Sequence, residues 1–361
     1  MNGRERLTTV YRGGVPEEVP WAPIIFQDTL SLYPEEVREA GPIEFTRRIG
    51  GDVLWRTESC RVEDPGLKVT RRQEGDRIHV RYSTSKGNLN EVHRIGGLYG
   101  AARKEDFPIR SPEDFEILEH IYRTRAYEPN DGSVEKLEEV VGDSGVVMAF
   151  EGTTPVQELI QGWMGLRGFH SHLLRHASDL ENLMATMHES NLDRYEIMAE
   201  SPLEFNCIIE NTDITLVSPR IYAKYSRGHV KDFVDAMHRG GKVALVHMCG
   251  KIDGLLPLIK ETGLDGIDCL TPKPLGDVDF GRVYEIFGDR FVVHGSMTPL
   301  WMREVTGFER IEREVNSMLD EVEGRPFVLC TGADGFPGIP IQRFVDVSDI
   351  VKSYRRKHCR S

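Results

Sequence analysis

The stretch that decides the fold is VALVHMCGKIDGLLPLIKETGLDGIDCL, residues 243–270. Residues 243–249 form a short β-rich run that ends in polar residues, and residues 252–262 show the apolar spacing of a helix. A second short β-rich run follows at 266–270. A strand, a helix and a strand in this order predict parallel strands joined by a right-handed crossover.

The same alternation continues along the second half of the chain and returns, more weakly, near its beginning. Eight such units over 361 residues favour a single-domain (β/α)8, or TIM, barrel spanning residues 1–361. An open, doubly wound sheet is the alternative. The predicted strands are 20–26, 52–55, 146–150, 204–210, 243–249, 266–270, 290–295 and 326–330, and the predicted helices are 219–239, 252–262, 278–287, 300–322 and 342–356.

One segment, at about 59–105, interrupts this alternation. Pro65-Gly66 and Glu74-Gly75-Asp76 are typical turn sequences. The runs 68–72 and 77–83, on either side of the second turn, have the composition of strands. We therefore expect a β-hairpin insertion between the second and third barrel strands.

Composition excludes some classes of partner. The net charge of −13 opposes binding to nucleic-acid phosphates and to an anionic membrane surface. No apolar run approaches the ~20 residues that cross a bilayer, and the N-terminal residues lack the apolar core of a signal peptide. We therefore expect a cytoplasmic protein that acts on a small molecule. In that reducing compartment its six cysteines are expected to be buried thiols or metal ligands.

The candidate metal ligands are His247, Cys249 and Cys330. His247 and Cys249 are two residues apart in a predicted strand, so their side chains point to the same face. Cys330 ends another predicted strand, and the C-terminal ends of barrel strands converge on one mouth. One nitrogen and two sulfur ligands with an open fourth position are typical of catalytic Zn²⁺. The alternative is a hydrogen-bonded core histidine and buried thiols, which is also the interpretation favoured for Cys269.

Other polar residues stand at or just after predicted strand ends, where barrel enzymes carry their active sites. Glu210 and Glu151 are predicted catalytic residues, either as a general acid or base or as a displaceable metal ligand. Asn211, Asp213 and His294 are predicted to bind substrate. The alternative for each is a loop-capping role, in which the side chain bonds nearby backbone amides.

Four sequence stretches resemble the uroporphyrinogen decarboxylase superfamily, over roughly residues 145–345. They are SPRIY (218–222), HMCGKIDG (247–254), TGLDGIDC (262–269) and FGDRFVVHGS (287–296). The resemblance implies a (β/α)8 barrel. True decarboxylases of this superfamily carry an arginine-rich N-terminal motif that grips the carboxylates of the porphyrinogen. The corresponding residues here, 20–30, read PWAPIIFQDTL and contain no arginine.

A second branch of the superfamily contains corrinoid-dependent methyltransferases, and the chain is more similar to these. Their pattern is His-x-Cys with a distant Cys, which His247, Cys249 and Cys330 match. The resemblance implies a Zn²⁺ ion that binds an acceptor thiol, and methyl transfer between a corrinoid and a small thiol or methylated substrate. The chain lacks the Asp-x-His-x-x-Gly motif of a cobalamin domain, so the corrinoid (methylcobalamin) is expected on a separate protein. A decarboxylase and a non-enzymatic accessory protein are the alternatives.

Overall fold

The architecture is that of an α/β protein built around a curled parallel sheet. The structure is a computed structural model that describes residues 1–96, 102–298, 301–302, 306–332 and 338–358, with the side chains of 355–358 left out. Seven parallel strands follow one another around the sheet in the order β1-β8-β9-β10-β11-β12-β13. Their bounds are β1 Val53–Thr57, β8 Gly145–Phe150, β9 Phe205–Ile209, β10 Val243–His247, β11 Gly266–Leu270, β12 Val292–Met297 and β13 Phe327–Thr331.

The prediction of an eighth strand at 20–26 is wrong. This segment forms an isolated parallel bridge between Trp21 and Leu329 on β13. On its other side, the amide of Asp52, just before β1, donates to the carbonyl oxygen of Trp21 at 2.6 Å. Pro23 has no amide hydrogen to continue a ladder, which limits the pairing to this point. The segment nevertheless connects the two edge strands of the sheet.

The N-terminal end of the sheet is filled by the first helix, Gly3–Tyr11. Leu7, Val10 and Tyr11 from this helix are buried in the cluster of apolar residues that the strands turn inward. The Tyr11 ring lies 5.0 Å from the ring of Phe205 on β9. On three strands the inward polar residue follows an apolar residue of this cluster by two positions, as Arg56 follows Leu54, His247 follows Leu245 and His294 follows Val292.

Helices pack against the outer face of the sheet. Two of them contain π-helical turns, at Leu159–Trp163 and Tyr222–Ser226. Among the described residues, no helix is long and apolar enough to cross a membrane. The α-helices are α1 Gly3–Tyr11, α2 Glu35–Arg48, α3 Glu113–Thr124, α4 Asp131–Val141, α5 Pro155–Glu158, α6 Gly165–Arg175, α7 Ala177–Glu200, α8 Pro219–Ile221, α9 Arg227–Arg239, α10 Leu256–Lys260, α11 Phe280–Phe287, α12 Phe308–Glu321 and α13 Ile341–His358.

Between β1 and β8 the chain forms more than the single hairpin expected at 59–105. An antiparallel sheet of four strands, in the order β3-β4-β5-β6, occupies most of this segment, and it is called the insertion sheet below. A separate two-stranded sheet pairs β2 with β7, so the excursion extends to residue 129. These strands are β2 Cys60–Glu63, β3 Lys68–Glu74, β4 Arg77–Thr84, β5 Gly87–Ile95, β6 Ala102–Asp106 and β7 Ala126–Pro129.

Candidate active site

A buried carboxylate, Asp268 on β11, organises the polar interior of the sheet. It accepts a hydrogen bond from Nδ1 of His247 at 2.6 Å and another from Nδ1 of His294. The guanidinium of Arg56, at the end of β1, donates to the same carboxylate at 2.9 Å. A carboxylate accepts only, so both imidazoles carry hydrogen on Nδ1. The sequence reasoning missed Arg56 and Asp268, although a charged residue within an otherwise apolar strand was a usable signal.

The charges of this cluster are mutually dependent. Burial opposes ionisation of Asp268, but Arg56 and the two histidines hold the pKa of its carboxyl well below the usual range. Burial also opposes the charged form of His247, and the hydrogen bonds to Asp268 and Cys249 outweigh it and raise the pKa to about 9. Burial lowers the pKa of His294, whose Nε2 is buried without a hydrogen-bond partner among the described residues. His294, a predicted substrate-binding residue, thus lies beneath the mouth as a neutral partner of Asp268.

Above this cluster lie the cysteines. Cys330 and Cys269 are buried together with Ile24, and Cys249 packs against them while remaining partly exposed. Burial raises the pKa of the Cys330 thiol, and the contact with Cys269 raises it further. Cys269 has a left-handed φ of 65° at a bulge between Ile267 and Leu270. This bulge suspends the strand alternation, so that Asp268 and Cys269, although adjacent, both face the interior.

The three predicted metal ligands therefore lie in one region, but they do not form a preassembled metal centre. Within the described ranges, no group of three or more His, Cys, Asp or Glu side chains is arranged to hold a metal ion. The donor types do fit zinc, since one imidazole nitrogen and two sulfurs are available. His247 also has its Nδ1 bonded to a carboxylate, the arrangement that orients a metal-binding histidine and leaves Nε2 as the ligand.

The two predicted catalytic glutamates anchor loops at the mouth. Glu151 accepts from the amide of Ser59 at 2.6 Å and from the Cys60 thiol at 2.9 Å. Glu210 is completely buried and accepts from the amide and hydroxyl of Thr154, at 3.2 and 2.8 Å. Burial raises the pKa of Glu210 to about 8 despite these bonds, so the group is mainly protonated at neutral pH.

The predicted substrate-binding residues Asn211 and Asp213 lie at the end of β9, beside the cysteines. Asn211 has a left-handed φ of 29°, and its side-chain oxygen accepts from the Cys249 sulfur at 3.5 Å. Asp213 accepts from the amides of Thr215 at 2.7 Å and Lys251 at 2.8 Å. Asn211 thus contacts a candidate ligand, whereas Asp213 ties two mouth loops together, as the capping alternative expects.

The chain is similar to one protein family and to two curated proteins. The family described as uroporphyrinogen decarboxylase (URO-D) matches residues 108–354. Uroporphyrinogen decarboxylases of Citrifermentans bemidjiense and of Geobacter sp. strain M21 are each 27% identical over 145 residues, 39% of this chain. The chain matches only 40% of the length of each of these relatives.

Two solved structures share the fold. A methyltransferase from Methanosarcina mazei has a TM-score of 0.63 at 15% identity, over 98% of this chain and 99% of its own. A B12-independent methionine synthase from Shewanella sp. W3-18-1, solved with selenomethionine, has a TM-score of 0.50 at 10% identity, over 95% and 99%. At these identities the likeness concerns the arrangement of strands and helices.

Proposed function

The chain belongs to the uroporphyrinogen decarboxylase family, and we propose that it is a zinc-dependent methyltransferase of that family. It would transfer a methyl group between a corrinoid, carried on a separate protein, and a small thiol or methylated substrate. His247, Cys249 and Cys330 are the proposed zinc ligands. When bound, zinc stabilises a substrate thiolate at neutral pH, or polarises the atom that carries the methyl group.

The observation that carries this proposal is the setting of His247. Its Nδ1 is held at 2.6 Å by a carboxylate that is itself 1% exposed and bonded to Arg56. The bond from Nδ1 leaves Nε2, on the side of the partly exposed Cys249 thiol, as the nitrogen that would bind zinc after releasing its proton. His294 makes a similar bond to Asp268, but its Nε2 is buried with no hydrogen-bond partner among the described residues.

The surrounding residues of the chain supply orientation and exclude water. Asn211 positions the Cys249 sulfur through its side-chain oxygen. Ile24 and Cys269 cover Cys330, and the packed interior below the Arg56–Asp268 pair keeps water from reaching the site from the N-terminal end. For the demethylation direction we propose Glu210 as the proton donor, since it retains its proton at neutral pH, and Glu151 as the alternative. Asn211, Asp213 and His294 remain the proposed substrate-side residues.

Decarboxylation of a porphyrinogen is the second candidate, favoured by the names of the two curated relatives. Against it stands the segment 20–30, which offers no arginine for a substrate with many carboxylates. The two functions also differ in their need for a metal, because zinc is required only by the proposed methyltransferase.

The deciding experiment follows demethylation of methylcobalamin by absorbance, with zinc-loaded protein and a panel of small thiols. We expect thiol-dependent turnover that Cys249→Ala abolishes and that Cys207→Ala retains. Cys207 is the matched control, because it is buried in the apolar interior below the site. A parallel incubation with uroporphyrinogen should give no coproporphyrinogen. Decarboxylation at about 1 per second or faster, with no methyl transfer to or from a corrinoid, would refute the proposal.

A further inference from the structure

A cavity of about 470 Å³ separates the barrel mouth from the insertion sheet. Gly152 and Thr153, which follow β8, line it together with Trp163. Tyr82 of β4 and Lys104 of β6 line it from the insertion sheet. This volume lies in the usual range for sites that bind small molecules.

The cavity contains a buried cation without an anionic partner. Arg194, on α7, is 7% exposed and has no carboxylate within 4 Å among the described residues. Its Nη2 donates to the hydroxyl of Tyr127 at 3.3 Å, and its Nε is buried with no hydrogen-bond partner in the described part of the chain. Glu158 and Glu151 influence its pKa through Coulombic interaction only.

The Cζ of Arg194 lies 4.9 Å from the centroid of the Tyr127 ring, and Glu158 and Glu151 favour its charged form from a distance. None of these groups fills the hydrogen-bonding positions of the guanidinium, and a buried charge is costly unless its donors are satisfied. Arginine stays ionised at any physiological pH, and its planar set of N–H groups matches a carboxylate in two parallel hydrogen bonds. The unsatisfied Nε of Arg194 therefore indicates a ligand that carries at least one anionic oxygen pair.

Two other charged residues line the cavity. Lys104 contacts the carboxylate of Glu91 at 2.7 Å and donates to the carbonyl oxygen of Gly162. Glu158 accepts a hydrogen bond from the hydroxyl of Tyr122, which supplies no positive charge. Of the cations that line the cavity in the described part of the chain, Arg194 is the one that no carboxylate contacts.

Two aromatic side chains line the cavity. The rings of Tyr82 and Trp163 lie 5.4 Å apart, tilted by 54°, and both border the cavity. Aromatic faces contribute contact area for an apolar or planar body. An organic carboxylate with an apolar or aromatic part would use both these rings and Arg194, whereas free phosphate would leave the rings without a contact.

The cavity is linked to the proposed zinc ligands by two hydrogen bonds. Gln161, at its edge, accepts from the side-chain nitrogen of Asn211 at 3.4 Å. The oxygen of the same Asn211 side chain accepts from the Cys249 sulfur. We propose that Arg194 binds the carboxylate of a small organic anion, whose other end extends past Gln161 towards Cys249. That this anion is the substrate rests on the proposed function, whereas the binding site itself does not.

The test is calorimetric titration of the purified full chain, metal-free and zinc-loaded, with benzoate, its neutral isostere benzamide, and inorganic phosphate. We expect benzoate to bind one per chain with a Kd of about 10 mM or tighter, as its size permits. Benzamide and phosphate should bind about tenfold more weakly or not at all. Equal binding of benzamide would refute the role of the charge, and equal binding of phosphate would refute the organic ligand.

The variants are Arg194→Gln and the charge-retaining Arg194→Lys, with Arg167→Gln as the matched control on an exposed arginine. Arg194→Gln should weaken benzoate binding about tenfold or more, Arg194→Lys less, and the control should not change it. Unchanged binding in a folded Arg194→Gln protein, judged by its melting temperature, would refute the assignment. Benzoate binding by the native chain, without methyl transfer to any of the thiols tested, would refute only the proposed function; methyl transfer without benzoate binding would refute only the Arg194 site.

Discussion

Replacing Glu210 with glutamine should stabilise the protein, and by an amount that depends on pH. Glu210 is fully buried and its carboxyl accepts hydrogen bonds from Thr154 and Thr212. Burial is the dominant influence and raises its pKa from 4.5 to about 8, so the folded protein keeps a proton that the unfolded chain releases. Glutamine resembles the protonated acid in shape and carries no charge at any pH.

The magnitude follows from proton linkage. The stability associated with the protonated carboxyl is fully present below pH 4.5 and is lost as the pH rises towards 8. At pH 7, which lies roughly 2.5 units above the unfolded pKa of 4.5, releasing the proton stabilises the unfolded chain by about 3 kcal/mol, at about 1.4 kcal/mol per unit. Glu210→Gln removes this contribution. At pH 5 the same calculation leaves about 1 kcal/mol.

Urea unfolding at pH 5, 6, 7 and 8 measures this directly, as the difference between the variant and the native chain. We expect Glu210→Gln to be more stable by about 3 kcal/mol at pH 7, with the difference growing from pH 5 to pH 8. Glu139→Gln, on an exposed position of α4, is the control and should show no such trend. A difference that is the same at every pH, whatever its sign, would refute the raised pKa.

Three further predictions concern the polar interior and its metal. Asp268→Asn should weaken zinc binding by about 10- to 100-fold, measured by competition with a chromophoric chelator, because the amide no longer orients His247 as a carboxylate does; unchanged affinity would remove Asp268 from the site. Arg56→Met removes the guanidinium from Asp268 and leaves the two histidines to stabilise its charge, so it should lower the unfolding free energy by about 1.5–3 kcal/mol in urea. A loss below about 1 kcal/mol would contradict the pairing. Elemental analysis should find about one zinc per chain in Cys207→Ala and nearly none in Cys249→Ala; equal contents would exclude Cys249 as a ligand.

Much of the sheet could be predicted from sequence, because its strands are short apolar runs separated by amphipathic helices. His247 ends β10 and contacts Asp268 in the interior, whereas Cys249 lies in the loop that follows the strand. The strand predicted at 20–26 is not formed. Its apolar composition is that of a strand, but Pro23 and the adjoining loop permit only the single bridge between Trp21 and Leu329. The insertion sheet exceeded the expected hairpin because the two additional strands, β5 and β6, have a largely polar composition.

The details of the site depended on contacts that no local pattern contains. The bulge at Cys269 is a single-residue register shift, and it brings a cysteine and Asp268 to the same interior. Glu151 and Glu210 do lie at strand ends, but their partners Ser59 and Thr154 come from loops distant in the sequence. The position of a residue at a strand end therefore predicts that it lies at the mouth. Its chemical role depends on the loop residues that contact it.

X-ray absorption at the zinc edge, on the zinc-loaded protein, tests the proposed zinc ligands. We expect two sulfur neighbours at about 2.3 Å and one imidazole nitrogen, from Cys249, Cys330 and His247. A substrate thiol should add a third sulfur, and Cys249→Ala should remove one or abolish binding. A zinc shell of nitrogen and oxygen alone, or one that Cys249→Ala leaves unchanged, would contradict it.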